Sequence, residues 1–425
     1  MKAAADSDDL TVGIPLLADN GEAVSAHQLR PHNFVSGSTS FFKTCFNGVN
    51  ALSGVGILSV PYALSSGGWL SLILFFLIAG CTYYTSLLIK RCMDLDTNIQ
   101  TYPDIGERAF GSNGRRIVSV TMNVELYLVA TGFVILEGDN LQNLFPAVGG
   151  DFITGKQAFV LIIGLIVLPT VWLDNMAILS YISATGVVAS FLLIASILWS
   201  AVFDGIGFHE QGTLFQSSGI PTAISLYAFC YCAHPVFPTM YTSMRNQKQF
   251  SKVLLVCFLV CTMSYAVMAV LGYLMFGSEV QSQVTLNLPT NRVSSKVAIY
   301  TTLVNPLAKY ALMVSPIVKA LERRFLVGRS RRWGILIRTA LVASTVFVAL
   351  VVPFFGYLMS LVGAFLSVTA SVILPCLCYM KISGIYVRIG SELMVLCGIV
   401  VVGGVVLVVG TYTALLEILN HLIPS

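Results

Sequence analysis

A chain of 425 residues that is 56% hydrophobic and only 10% charged, with mean hydropathy +0.82, is not a soluble globule; soluble domains carry about 25% charged residues. Its formal net charge of +4 is a topology signal and not a nucleic-acid surface. Apolar runs of about 20 residues, the length that crosses a bilayer's hydrocarbon core, recur down the chain. The expected class is an all-α polytopic membrane protein in contact with lipid.

Residues 1–38 are polar and acidic-leaning and lack a basic stretch followed by an apolar one, so no cleavable leader is expected. They are expected to form a disordered cytosolic tail. Eleven spans follow, at about 40–66, 69–91, 117–145, 157–172, 178–203, 217–244, 252–276, 295–322, 334–353, 356–381 and 392–417. Residues 39–203 hold the first five, residues 217–381 the next five, and residues 392–417 the last.

The first span is a poor helix. In "FNGVNALSGVGILSVPYAL" (Phe46–Leu64), Gly48, Gly54 and Gly56 lie within nine residues and Pro61 follows. A helix interior loses about 1 kcal/mol per glycine relative to alanine, and more at proline. Between spans two and three, "TYPDIGERAFG" (Thr101–Gly111) is too polar to insert and reads as a short surface helix ended by Gly111. Span three carries Glu125 about a third of the way along, and Glu137 and Asp139 nearer its outer end, where water access is expected.

Span six repeats the oddity of span one: "SLYAFCYCAHPVFPTMYTSM" (Ser225–Met244) places His234, Pro235 and Pro238 at mid-membrane. Proline removes a backbone donor and clashes with the preceding turn, so a break is expected at residues 229–235. Irregular backbone survives at that depth only where protein or a water-filled cavity satisfies it. Spans one and six each begin a set of five, and an odd number per set inverts one set relative to the other. Breaks at matching places in two inverted halves point to the binding site of a secondary transporter. The alternative is a pair of kinked helices without a site. Span eight carries Lys309 at its middle and Asn305–Pro306 one turn earlier.

Orientation follows from Lys and Arg. With the N-terminus cytosolic, 20 of them fall on inside segments and three (Lys156, Arg292 and Lys296) outside, which places the C-terminus across the membrane. "RRFLVGRSRRW" (Arg323–Trp333) belongs to that inside charge. All ten cysteines lie in or beside apolar spans, so no disulfide framework is indicated. No His/Cys cluster has metal-ligand spacing, and no metal site is expected.

The two breaks offer a specific chemistry. A freed backbone around Ser53–Gly56 presents N–H groups and the positive end of a half-helix to a carboxylate. Freed carbonyls around residues 50–53 and 229–232 accept from an ammonium. One site with both features suits a zwitterion, an amino acid. The candidate substrate contacts are Asn50, Ser53, Gly54, Val55, Gly56, Phe229, Cys230, Tyr231 and Asn305. Phe229 and Tyr231 are the expected wall against the substrate side chain.

The motif of span one, together with "YPDIGERAFG", "VELYLVATGFVILEGDNL" and "VNPLAKYALMVSPIVKALERR", resembles the plant and fungal vacuolar amino-acid transporters. These belong to the amino acid/auxin permease group, which includes the vesicular inhibitory amino acid transporter. The resemblance covers residues 38–420 or so. It implies a LeuT-type 5+5 inverted repeat of eleven helices with helices one and six broken, proton-coupled amino-acid transport, and an acidic endomembrane, the vacuole above all. Sodium-coupled relatives carry a hydroxyl residue near the position of Lys309 that helps hold sodium against span one. An ammonium there replaces the cation against the carbonyls near Gly48–Ala51, so no sodium is expected. Lys309 is also a candidate proton carrier, or else a structural tie between helices.

A carboxylate buried in the membrane is costly and often functional, so Glu125 is a candidate proton carrier or Lys309 partner. Glu137, Asp139 and His234 are candidates for gating, and His234 has the alternative role of satisfying freed backbone. The expected activity is proton-coupled transport of mainly neutral amino acids by alternating access, as antiport into an acidic lumen, with no bond chemistry, no cofactor and no obligatory protein partner. A symporter exporting from the vacuole or importing at the plasma membrane would use the same site. An amino-acid sensor is the rival of another class.

Overall fold

The computed structural model of the protein describes residues 37, 39–149, 154–172, 176–325, 331–387 and 390–422. The tail expected to be disordered lies outside them, save for Gly37. The first span is split into α1 (Phe41–Leu52) and α2 (Gly56–Gly67), which meet at a 50° bend. Then come α3 (Ser71–Leu95), α4 (Tyr102–Leu144), α5 (Gly155–Trp172) and α6 (Met176–Val202). The sixth span is split into α7 (Ile220–Phe229) and α8 (Phe237–Ser243). After it run α9 (Phe250–Phe276), α10 (Val293–Phe325) and α11 (Arg331–Val351). The tenth span comprises α12 (Phe355–Leu361) and α13 (Leu374–Ser383), joined by π-helical turns over Val362–Ser367 and Thr369–Ile373. α14 (Ser391–Leu422) closes the chain.

Nine helical segments among the described residues are long and apolar enough to cross a bilayer, and the bent pair α1–α2 makes a tenth. The described apolar part of α6, Gly186–Val202, is shorter than a full span. The expected eleven is therefore not reached on these residues.

Long α4 contains the short polar helix expected before it: Phe110 and Gly111 leave helical geometry, Gly111 with φ +66°. Glycine tolerates that left-handed conformation without a Cβ clash. At its start Thr101 and Asp104 form a reciprocal capping box, which bonds amides that a helix start leaves free.

Surface charge follows the membrane faces. Ion pairs Lys90–Asp94, Arg91–Glu392, Arg108–Asp96, Arg115–Asp104 and Arg338–Glu322 lie at helix ends on one face, and Lys156–Asp139 lies on the other. At the basic face, outside the spans, the Asn98 N–H and the Arg108 guanidinium hold the Asp96 carboxyl below its ordinary range.

Backbone hydrogen bonds tie the half-helices in pairs. On the basic face, Thr39 N–H donates to Ser243 C=O (3.0 Å) and Arg245 N–H to Thr39 C=O (3.0 Å), which pins the entry to α1 onto the end of α8. On the opposite face, Trp69 N–H donates to Thr213 C=O (3.1 Å), Leu70 N–H to Leu214 C=O (3.0 Å) and Gln216 N–H to Gly67 C=O (3.2 Å). The end of α2 is thereby joined to the chain entering α7. Each half of one broken span is tied to a half of the other.

Candidate functional site

The glycines of the first span are not there for left-handed backbone, since none of Gly48, Gly54 and Gly56 has a positive φ. A Cβ on Gly48 would come within 2.6 Å of Cys257 Sγ on α9, and one on Gly56 within 2.8 Å of Cys230 Sγ. Their absent side chains permit close approach of helices. Gly54 differs: a Cβ there would meet nothing nearer than Leu52 O at 3.9 Å, so it borders open space.

At the break, α1 ends at Leu52 and α2 starts at Gly56, with Val55 at the N-cap and no side-chain cap. The first amides of a helix lack intrahelical acceptors, and here they lie buried at a positive helix end. The freed carbonyls upstream are bonded from other helices. Lys309 Nζ on α10 donates to Asn50 C=O (3.0 Å) and Ser53 C=O (2.8 Å), and Tyr265 OH on α9 donates to Leu52 C=O (2.5 Å). Lys309 is 4% exposed, so these carbonyls offset a costly desolvation. The sequence placed the ammonium against residues 48–51; it lies slightly further along, across an i, i+3 pair of carbonyls.

Beside that lysine, Ser53 Oγ and Ser190 Oγ on α6 share a hydrogen bond (2.7 Å), and Ser190 Oγ also donates to Gly186 C=O (3.0 Å). Among the described residues, Asn50 Oδ1 and Asn305 Oδ1 are buried without a protein donor. Both point at Gly186, where a Cβ would come within 2.3 Å of the first and 3.2 Å of the second. A cavity of about 20 Å³ lies against Gly54, Val55, Ser190, Thr302 and Asn305, room for about one water. Ser190, Gly186 and Tyr265 were missed in the sequence, because nothing local marks a residue whose partner lies in a remote helix.

The second break is different. α7 ends at Phe229 and the chain turns through Cys230–Ala233 into a 3₁₀ turn, His234–Val236. Within the turn, Tyr231 N–H donates to Ala228 C=O (3.2 Å), Cys232 N–H to Phe229 C=O (3.3 Å) and Val236 N–H to Ala233 C=O (3.0 Å). His234 Nε2 lies 3.0 Å from both Thr82 C=O and Thr85 Oγ1 on α3. Thr85 in turn donates to Ser371 C=O (2.6 Å) in the π-helical stretch. His234 thus ties the second break to the unbroken helix α3.

Not every candidate converges on one pocket. Cys230 meets Gly56, joining the two breaks, and Phe229 packs toward Gly363 of the tenth span. Tyr231 turns away instead: its ring stacks on Phe258, 5.8 Å between centroids, and its hydroxyl shares a hydrogen bond with Thr262 (2.9 Å).

The carboxylates need three corrections. Glu125 is not the partner of Lys309: among the described residues no ion pair joins them, and Glu125 Oε1 accepts from Ser367 Oγ (2.7 Å) in the π-helical stretch. A π turn shifts side chains and carbonyls out of α register, and here it offers Ser367 to Glu125 and Ala370 C=O to Tyr102 OH (2.5 Å). Glu137, expected near water, is 1% exposed, and among the described residues neither of its oxygens has a hydrogen-bond partner. Asp139 is only partly exposed, closed off by its ion pair with Lys156 and by Gln283 Nε2 (2.9 Å). The loop after α9 folds down onto α4 through Gln283 and Thr285, and this removes the water that the span's outer end would otherwise meet.

Comparison with known proteins places this geometry. Residues 37–416 match the family model described as transmembrane amino acid transporter protein. Amino acid transporter AVT1J of Arabidopsis thaliana is 61% identical over 392 residues, 91% of this chain and 93% of that one. AVT1I of the same plant is 59% identical over 90% of this chain and 96% of its own length, and AVT1B is 44% identical over 96% and 79%. Among solved structures, a Na+-coupled sialic acid symporter in a substrate-bound outward-open state aligns with TM-score 0.53 at 13% identity, over 88% of this chain and 89% of that one. That likeness is one of fold: the LeuT-type inverted repeat with broken first and sixth spans.

Proposed function

The chain belongs to the transmembrane amino acid transporter family, a family of transporters and not of enzymes, and on that premise we propose that it is a proton-coupled carrier of small neutral amino acids. One observation carries the reading: the ammonium of Lys309 lies across the Asn50 and Ser53 carbonyls of the first break. An ammonium built into the break takes the place of a bound metal cation, which argues for protons and against sodium. Around it, the uncapped N-terminus of α2 and the ammonium favour an anion, which suits a substrate carboxylate. The unpaired amide oxygens of Asn50 and Asn305 are acceptors for its ammonium. A zwitterion answers both.

Transport proceeds by alternating access, the tied half-helix pairs α1/α8 and α2/α7 rocking against α4, α5 and α10. The excess of Lys and Arg on one face supports a cytosolic location for that face. The resemblance to vacuolar carriers supports an acidic organelle, where a lumenal proton leaves as the amino acid enters. Glu125 is the second candidate for carrying that proton.

The test is flux into liposomes holding the full chain, with labelled neutral amino acids and with proton and sodium gradients imposed separately. Uptake that follows the proton gradient and ignores sodium is expected. Sodium-driven uptake indifferent to pH would overturn the reading. Lys309→Thr should abolish proton drive while substrate exchange at equal pH persists; unaltered coupling in that variant would remove Lys309 from the mechanism.

A further inference from the structure

At the face opposite the basic one, α14 reaches into the moving half-bundle through a cluster of titratable side chains that the transport site does not use. Glu417 Oε1 accepts from Thr222 Oγ1 on α7 at 3.0 Å, and Thr222 is 3% exposed. The other carboxylate oxygen, Oε2, is buried without a hydrogen-bond partner among the described residues. One turn on, His421 Nδ1 lies 2.9 Å from Glu417 C=O and Nε2 lies 3.3 Å from Tyr357 OH on α12. The His421 ring also packs on Tyr357 and Phe354, with centroids 4.8 and 5.4 Å away. Tyr62 of α2 leans on the same place, its ring 3.5 Å from where a Cβ of Gly356 would stand.

The arrangement spans the moving and static parts of the molecule. Thr222 and Tyr62 sit on α7 and α2, which the backbone bonds of residues 67–70 and 213–216 make one unit. Tyr357 and Glu417 sit on α12 and α14, outside that unit. The titratable groups facing Glu417 are Tyr62, Tyr357 and His421, and among the described residues no lysine or arginine pairs with it. The ion pair Arg91–Glu392 belongs to the far end of α14.

We propose that Glu417 is a proton-operated latch on this face: ionised, it grips Thr222 and holds the α2/α7 unit shut, and a proton arriving from this side releases it. The physical basis is that a hydrogen bond to a carboxylate is roughly twice as strong as one between neutral groups. His421 adjusts the working point. When charged it favours ionised Glu417, so the latch opens at a lower pH than the carboxyl alone would allow. The inference rests on the transport reading for its purpose: in the proposed topology this face meets an acidic lumen, which would unlock the carrier where the substrate is released.

Hydrogen–deuterium exchange of α7, on the full chain in nanodiscs at pH 5 and pH 7 and corrected for intrinsic exchange rates, tests the latch without any substrate. In the unsubstituted protein α7 should exchange about fivefold faster at pH 5, the change expected when a charge-assisted bond becomes a neutral one. Glu417→Gln and Thr222→Val should exchange fast at both values, the second with the carboxyl intact. His421→Gln should move the midpoint of the response to higher pH. Equal protection of α7 at both values, or a pH response that survives Glu417→Gln, would overturn the latch. A pH response present in a protein that moves no amino acid in liposomes would sustain the latch and overturn the transport reading alone.

Discussion

At the first break the carbonyls of Asn50 and Ser53 take a lysine of α10 as donor, and Leu52 C=O takes both a tyrosine of α9 and the local Gly54 N–H (2.7 Å). At the second, the turn through Cys230–Ala233 bonds largely to itself, and its histidine is held by threonine and backbone of α3. The difference follows from local sequence. Proline cannot continue the donor ladder, so Pro235 and Pro238 impose a turn whose short-range bonds satisfy it. Span one has no proline at its break; glycines and Ser53 only weaken the helix there, and donors on α9 and α10 add to its own short-range bonds in holding it open. A joint held by its own turn is rigid. A joint held by a charge on another helix responds to whatever changes that charge or its distance, which makes the first break the better place to couple an ion to movement.

That contrast can be broken by substitution. The largest effect is expected from Lys309→Met, which strands two buried carbonyls and should cost about 3 kcal/mol, read as a fall of several degrees in the melting temperature of the detergent-solubilised protein. If this variant melts no lower than one altered at the second break, the contrast fails. Next comes a pair of glycines. Gly56→Ala drives a Cβ into Cys230 Sγ and its Cα, 2.8 and 3.2 Å away, an overpacking worth about 1–3 kcal/mol. Gly54→Ala, with open space before it, should melt within about 0.5 kcal/mol of the parent and alter transport kinetics instead. Thr85→Val removes the hydroxyl between His234 and Ser371 and should cost about 1 kcal/mol, with the ion preference in the liposome assay unchanged. Smaller than that of Thr85→Val is the effect of Ser190→Ala, which deletes one bond to Ser53 and should cost about 0.6 kcal/mol, the average for side-chain bonds between membrane helices; a double-mutant cycle with Ser53→Ala isolates it.

Much of the architecture is legible in the residues. Apolar length determines spans because bilayer thickness is constant, and glycine or proline within a span marks a break because backbone groups in hydrocarbon must find partners. The turn at Gly111 and the breaks at residues 53–55 and 230–233 follow from such local rules, whereas the place of Lys309 beside the first of them was implied by the family resemblance. What lay beyond reach was helix rotation. The periodic apolar signal that orients a helix in water is erased when lipid and core are both apolar, so α6 and α14 are apolar on every side. The sequence therefore did not show that Tyr231 turns toward α9, that Glu125 meets Ser367 and not Lys309, or that Glu137 is sealed from water. Composition and apolar length by themselves determined a multi-span helical membrane protein, and the placement of glycine and proline its two interrupted helices. Tertiary packing alone decided which side chain answers each freed backbone group, because those partners lie more than a hundred residues apart and only the folded bundle brings them together.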